Sequence, residues 1–116
     1  MALQHLHLHV RDRAAARAFY AEWFRLRTVR EDGEIVFMTD ERAFLLALAD
    51  DPAPAAMPPW FHFGFRLDSP EAVRSLHRRM AEGGVEIRKP IFDDEDFVSY
   101  RCVDRDGYVI EVYWDR

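Results

Sequence analysis

The hexapeptide His5-Leu6-His7-Leu8-His9-Val10 sets three imidazoles at alternate positions. Imidazole is both a neutral metal ligand and the side chain that most readily carries a proton near neutral pH. Strict alternation of polar and apolar residues is the mark of a half-buried strand, so His5, His7 and His9 share one face and Leu6, Leu8 and Val10 the other. Such a face is either solvated or lines a concave site. A second alternating stretch, Trp60-Phe61-His62-Phe63-Gly64-Phe65-Arg66-Leu67, carries another imidazole, and Glu111 stands in a third near the C-terminus. Two imidazoles and one carboxylate are the facial set that holds a divalent metal while leaving positions open for substrate or oxygen.

The elements that would position these groups follow in a regular order. Asp12 is a good N-cap for a helix over Arg13 to Phe24, where Ala15, Phe19, Trp23 and Ala16, Tyr20, Phe24 recur every four residues as one apolar stripe. Strands are expected at 26–30, 35–39 and 43–49, with a hairpin turn at Glu31-Asp32-Gly33. Residues 50–59 hold four prolines and no periodicity, which reads as a linker. After the strand at 60–67, Ser69 followed by Pro70 opens a second helix that buries Val73, Leu76, Met80 and Ala81 and ends at Gly83-Gly84. A short strand at 85–88 is closed by Pro90, Asp93 to Asp96 is an acidic loop, and strands at 97–103 and 108–114 complete the chain, joined at Asp104-Arg105-Asp106-Gly107.

This order is βαβββ, linker, βαβββ, an internal duplication. Setting His5 on His62 places Leu8 on Phe65, Val10 on Leu67, Asp12 on Ser69 and Phe19 on Leu76. Setting Phe44 on Tyr108 places Leu46 on Ile110 and Leu48 on Val112. The two imidazoles of the candidate metal set therefore occupy equivalent positions of equivalent strands.

Composition narrows the classes of function. At 116 residues the chain is expected to be one domain, 1–116, with module one at 1–49, the linker at 50–59 and module two at 60–116. A net charge of −5 argues against nucleic acid and anionic membrane as partners. No apolar run is long enough for a membrane span. Cys102 is the only cysteine, so neither an internal disulfide nor a cysteine-based zinc site can form, and a reducing, cytoplasmic setting is expected.

Two phrases carry a resemblance to a known family. His5-Leu6-His7-Leu8-His9-Val10-Arg11-Asp12 with Ala18-Phe19-Tyr20, and Asp104-Arg105-Asp106-Gly107-Tyr108-Val109-Ile110-Glu111, resemble the opening strand and helix and the Asp-Pro-Asp-Gly turn before a metal-binding Glu of the vicinal oxygen chelate superfamily, also called glyoxalase/bleomycin-resistance/dioxygenase proteins. The likeness covers essentially the whole chain. It implies an α+β fold of two paired βαβββ modules forming an open, cup-shaped mixed sheet with helices outside. It also implies one divalent metal ion per site (Fe, Mn, Ni or Zn) held by His5, His62 and Glu111, a small-molecule substrate, and a homodimer.

The subfamilies fit less cleanly. Ala47 stands where glyoxalase I-like lyases place a fourth ligand or base. Arg101 stands where ring-cleaving dioxygenases place a Tyr, His7 where fosfomycin-resistance transferases carry a Thr, and Arg105 where the turn usually has Pro. The reading that follows is a metal-dependent enzyme acting on a small substrate with vicinal oxygens, with dioxygenase-type chemistry ranked ahead of a glyoxalase-like lyase or isomerase. The alternative is a metal-free small-molecule binder of the bleomycin-resistance kind, whose cup would be lined by aromatics; Trp60, Phe61 and Phe63 are candidates, but alternation with His62 puts them on the outer face, where their commoner role is core. Strand alternation aims Arg66, Ser99, Arg101 and Tyr113 at the substrate side. His7, His9 and Arg101 are the candidate catalytic groups: the histidines as acid or base, the arginine as a fixed cation for a carboxylate or enolate.

Overall fold

The computed structural model describes residues 1–116, which fall into two compact units, Met1–Ala56 and Met57–Arg116. The first unit contains β1 (His5–Val10), α1 (Arg13–Phe24), β2 (Arg27–Asp32), β3 (Ile35–Thr39) and β4 (Leu45–Asp50). The second contains β5 (Phe63–Arg66), α2 (Pro70–Glu82), β6 (Ile87–Asp93), β7 (Phe97–Val103) and β8 (Val109–Asp115). Each unit is a four-stranded mixed sheet with one helix on one face, in the orders β1-β4-β3-β2 and β5-β8-β7-β6. The α+β class and the repeated βαβββ order expected from the sequence are both present. Neither helix is long and apolar enough to cross a membrane.

The duplication holds at the level of single residues. In the first unit β1 runs parallel to β4 with Leu6 opposite Leu46 and Leu8 opposite Leu48. In the second, β5 runs parallel to β8 with Phe63 opposite Ile110 and Phe65 opposite Val112. These are the same pairs that superposing the two halves of the sequence requires. By the same register Ala47, opposite His7, is the counterpart of Glu111, opposite Gly64.

Both helices begin where their caps say. Asp12 Oδ1 accepts from the Ala14 and Ala15 amides, and Ser69 Oγ accepts from the Ala72 amide with Pro70 next in line. Because a side-chain oxygen takes an amide that has no partner within the helix, the start point is set locally. Helix α1 buries Ala16, Phe19 and Tyr20 against the apolar face of its sheet, which is made of Leu8, Val10, Val36, Met38, Leu46 and Leu48. Helix α2 buries Val73, Leu76 and Met80 over Val98, Tyr100, Cys102, Ile110 and Val112, while Ala81, expected on that face, is exposed. In the second unit the opposite face carries Ser99, Arg101 and Glu111; in the first it carries the histidines of β1 beside Ala47, Phe37 and Ile35.

Several boundaries differ from expectation for identifiable reasons. Strand β4 starts at Leu45 and not at 43, because Asp40 Oδ1 accepts from the Arg42 and Phe44 amides and holds residues 40–44 in a turn. Strand β2 runs on to Asp32, leaving only Gly33 and Glu34 to turn the hairpin, with Gly33 at φ 62°. Strand β5 is short, and His62 lies just before it, not within it. Strand β6 covers 87–93 and passes through Pro90, which was expected to end it. It is the edge strand of its sheet, and its pairing with β7 slips on either side of Lys89, so the missing proline amide breaks no ladder bond that the sheet depends on. The turn before β8 forms despite Arg105 in place of Pro. Asp104 Oδ1 accepts from the Asp106 and Tyr108 amides, and Gly107 takes φ 91°.

A candidate metal centre on the polar face of the second unit

On β7, Val98, Tyr100 and Cys102 point to α2, so Ser99 and Arg101 point the other way. On β8 the same alternation sends Glu111 and Tyr113 to that face. Ser99 Oγ donates to Glu111 Oε2 at 2.7 Å, which confirms that the two strands present these residues together. His62, at the entrance to β5, brings its Nε2 to 3.5 Å from Glu111 Oε1. Two of the three residues expected to bind metal are thus neighbours in this unit.

The tautomer of His62 gives the pair its meaning. Nδ1 lies 3.1 Å from the Trp60 carbonyl oxygen, which can only accept, so Nδ1 carries the proton. In the neutral ring Nε2 then presents a lone pair towards a carboxylate oxygen. Two electron-rich atoms face each other at a distance long for a hydrogen bond. Two ligands each about 2.1 Å from one ion at a tetrahedral angle stand about 3.4 Å apart, so the gap suits a shared cation. A ligating histidine commonly donates its other N–H to a carbonyl, and a ligating carboxylate is commonly held by a further donor. Trp60 and Ser99 supply both. Gly64, opposite Glu111 in the ladder, keeps this face open, since a Cβ there would stand 3.1 Å from the Glu111 carbonyl oxygen and 3.3 Å from the Tyr113 ring.

The other candidates are placed as follows. His5, His7 and His9 lie on the exposed face of β1, as alternation requires. No group of three or more His, Cys, Asp and Glu side chains is arranged to hold an ion; within the second unit His62 and Glu111 are neighbours. His9 Nδ1 lies 2.9 Å from Asp51 Oδ2, and the His7 and His9 rings are 5.3 Å apart. The Ala53 amide first, and the His9 ring after it, hold the Asp51 carboxyl below its usual value. Sequence reasoning did not reach Asp51, which sits in the proline-rich stretch. Its signal is its place one residue beyond β4, the strand that pairs in parallel with the histidine strand.

Arg66 is tied to Asp115, its Nε donating to Oδ1 at 2.8 Å and a terminal nitrogen to the backbone oxygen at 2.7 Å. Arg101 is half-buried, and its Nε is fully enclosed with no hydrogen-bond partner. Ala47 is buried and offers only a methyl group where Glu111 has its counterpart. Tyr100 points away from the site, donating to Met80 Sδ and packing edge-on to His77. Cys102 is buried on the helix side, where burial, and behind it the nearby Asp104 carboxylate, push its thiol up to about 12.

The family model of the Glyoxalase/Bleomycin resistance protein/Dioxygenase superfamily matches residues 2–112. The chain belongs to this superfamily. An uncharacterized protein of Pseudomonas aeruginosa is 34% identical over 114 residues, which are 90% of this chain and 80% of that protein. A solved structure described as a possible glyoxalase from Bacillus cereus is 30% identical, with a TM-score of 0.83 and 97% of each chain covered. The genomically encoded fosfomycin resistance protein FosX of Listeria monocytogenes shares the fold at 20% identity, with a TM-score of 0.85, 100% of this chain and 94% of that chain covered. The family resemblance of the two sequence phrases therefore agrees with the family model, and the two-sheet α+β architecture with the solved structures.

Proposed function

We propose that this superfamily member is a metal-dependent enzyme whose substrate is a small molecule with two neighbouring oxygens that chelate the metal. The observation that carries the reading is the His62–Glu111 pair, two lone-pair donors 3.5 Å apart, each held from behind by a further hydrogen bond. His5 is the third ligand in this proposal, supplied by the same chain or by a second copy in a homodimer. It rests on the register that makes β1 and β5 equivalent.

A divalent ion bound there (Fe, Mn, Ni or Zn) would act as a Lewis acid on the substrate oxygens and, if redox-active, would give access to oxygen chemistry. The chain's own groups do the rest. Ser99 orients Glu111. Arg101 offers a fixed positive charge on the same face. Tyr113, opposite Ser99, forms part of the surface on which a substrate rests. His9, positioned by Asp51, and His7 beside it are the groups suited to take up or return a proton. Arg66, assigned to substrate binding by alternation, would act there only through its edge beyond Asp115. Dioxygenase-type chemistry ranks ahead of a glyoxalase-like lyase or isomerase, because three ligands leave open positions and Ala47 supplies no fourth.

The test is metal analysis of protein purified without chelator or affinity tag, extended to single variants. The expected result is one ion per chain, lost in His5→Ala, His62→Ala and Glu111→Ala with the fold retained, and kept in His7→Ala and His9→Ala, whose effects should appear in turnover. Wild-type protein that neither carries nor takes up a divalent ion would sink the reading and leave the metal-free sequestering protein in its place. Loss of the ion in His7→Ala but not in His5→Ala would shift the ligand register by two.

A further inference from the structure

Arg101 is flanked in the sheet by Glu111 on β8 and by Lys89 on β6, each directly opposite it. A cross-strand Arg–Glu pair is an obvious ion pair, yet none forms. The Glu111 carboxylate is engaged instead by Ser99 and faces His62. The other acids on these strands are also committed, Asp93 to Arg74 and Asp115 to Arg66, as is Glu86, just before β6, to Arg88. Lys89 has no ionic partner either. The result is two adjacent cations and an enclosed guanidinium N–H without an acceptor. Like charges directly opposite each other are unfavourable, and a buried donor with no acceptor is costly. The like-charge cost disappears if an anion lies between the lysine and the outer nitrogens of the guanidinium.

The other end of this face is apolar. Phe92, opposite Ser99 in the ladder, is 52% exposed, its ring 6.1 Å from Phe97, which is in turn 6.5 Å from Tyr113. Phe97 and Arg101 lie on one face of β7 with Ser99 between them, roughly 7 Å to each neighbour. In order along the face are an aromatic cluster, the Ser99–Glu111 pair, and a cationic pair.

We propose that Lys89 and Arg101 form an anion subsite beside the His62–Glu111 pair, and that the molecule bound on this face is a small carboxylate with an apolar body that covers Phe92, Phe97 and Tyr113. The planar guanidinium fork matches a carboxylate with two parallel hydrogen bonds, and the lysine adds a second charge. That this carboxylate is also the substrate rests on the function proposed above.

Thermal unfolding and calorimetric titration in the presence of chelator test the subsite without any metal. The probes are benzoate, benzamide as its neutral isostere, and acetate as the same anion without the apolar body. Benzoate should raise the unfolding temperature of the wild-type chain, acetate should bind more weakly, and benzamide should have no effect. Arg101→Met should weaken benzoate by on the order of tenfold to a hundredfold, the range for hydrogen bonds to a charged group. Its own unfolding temperature without ligand should equal or exceed that of the wild type, because the unpartnered donor is gone; a purely structural arginine would give the opposite. Lys89→Met, on an exposed edge, should weaken benzoate without disturbing the fold. Benzamide binding as well as benzoate, or both variants keeping wild-type benzoate affinity, overturns the subsite. Acetate binding as well as benzoate overturns the apolar part of it. A chain that prefers benzoate but takes up no metal overturns the proposed enzyme and not the subsite; a chain that takes up metal but ignores the charge of the probe does the reverse.

Discussion

At the scale of single residues, the polar face of the second unit works through commitments between neighbours. Ser99 spends its hydroxyl proton on Glu111, His62 spends its Nδ1 proton on Trp60, and Arg66 spends its guanidinium on Asp115. Strand alternation assigned Ser99 and Arg66 to substrate; in the structure Ser99 is bonded to Glu111 and Arg66 to Asp115, while the Arg101 Nε has no acceptor. Removing the Ser99 hydroxyl frees the carboxylate to rotate away from His62. Changes to groups that hold a metal ligand typically cost 10–100-fold in affinity. Ser99→Ala is therefore expected to weaken metal binding by about that factor with little change in unfolding temperature; competition against a metal-responsive dye measures the first and calorimetry the second. Unchanged metal affinity would mean that Glu111 does not need the serine.

At the scale of elements, the second unit anchors its helix to its edge strand through charge. Arg74 on α2 holds Asp93 at the end of β6 with two nitrogens, at 2.6 and 2.8 Å, and also pairs with Glu71. The Arg74 guanidinium keeps the Asp93 carboxyl below its usual value, while burial opposes the shift. A carboxyl depressed in the folded state binds its proton more weakly there than in the unfolded chain. Its contribution is therefore complete above the unfolded value of about 3.9 and is lost as pH falls through the lower folded value. Asp93→Asn should lower the unfolding temperature at pH 7, and the difference from wild type should close as both are measured towards pH 3. A gap that stays constant with pH would show that the pair contributes through packing alone. The same link explains why β6 persists through Pro90: its far end is pinned by a helix, and its irregular register lies at the open edge, where a missing amide costs little.

At the scale of the whole molecule, the repeat is the organising fact. Each unit is a four-stranded sheet with a helix on one face, and each ends in an edge made by its opening strand, β1 or β5. An edge strand presents unpaired backbone groups and invites pairing with a further strand. A homodimer with two equivalent sites is therefore expected, and light scattering at micromolar concentration should report twice the mass of the 13.7 kDa chain. A stable monomer that still binds metal through His5, His62 and Glu111 would show that one chain closes the site by itself.

What the sequence by itself determined was everything that depends on near neighbours and on period. The alternation of His5 to Val10, the Asp12 and Ser69 caps, the apolar stripes of both helices and the Asp104–Gly107 turn are local, and each was legible in advance. The duplication was legible because both halves must bury the same face, so Leu6 and Leu8 carry the same pattern as Phe63 and Phe65, and the ladders repeat it pair for pair. Tertiary structure decided which charges meet. The Ser99–Glu111, Arg66–Asp115 and Arg74–Asp93 contacts join residues 12, 49 and 19 positions apart. Each depends on strand register, helix placement and rotamer, none of which leaves a periodic trace. Alternation could say that Arg101 and Glu111 share a face. Only the packed sheet could leave the arginine unpaired beside a carboxylate already taken, because one hydroxyl on the neighbouring residue pair reached it first.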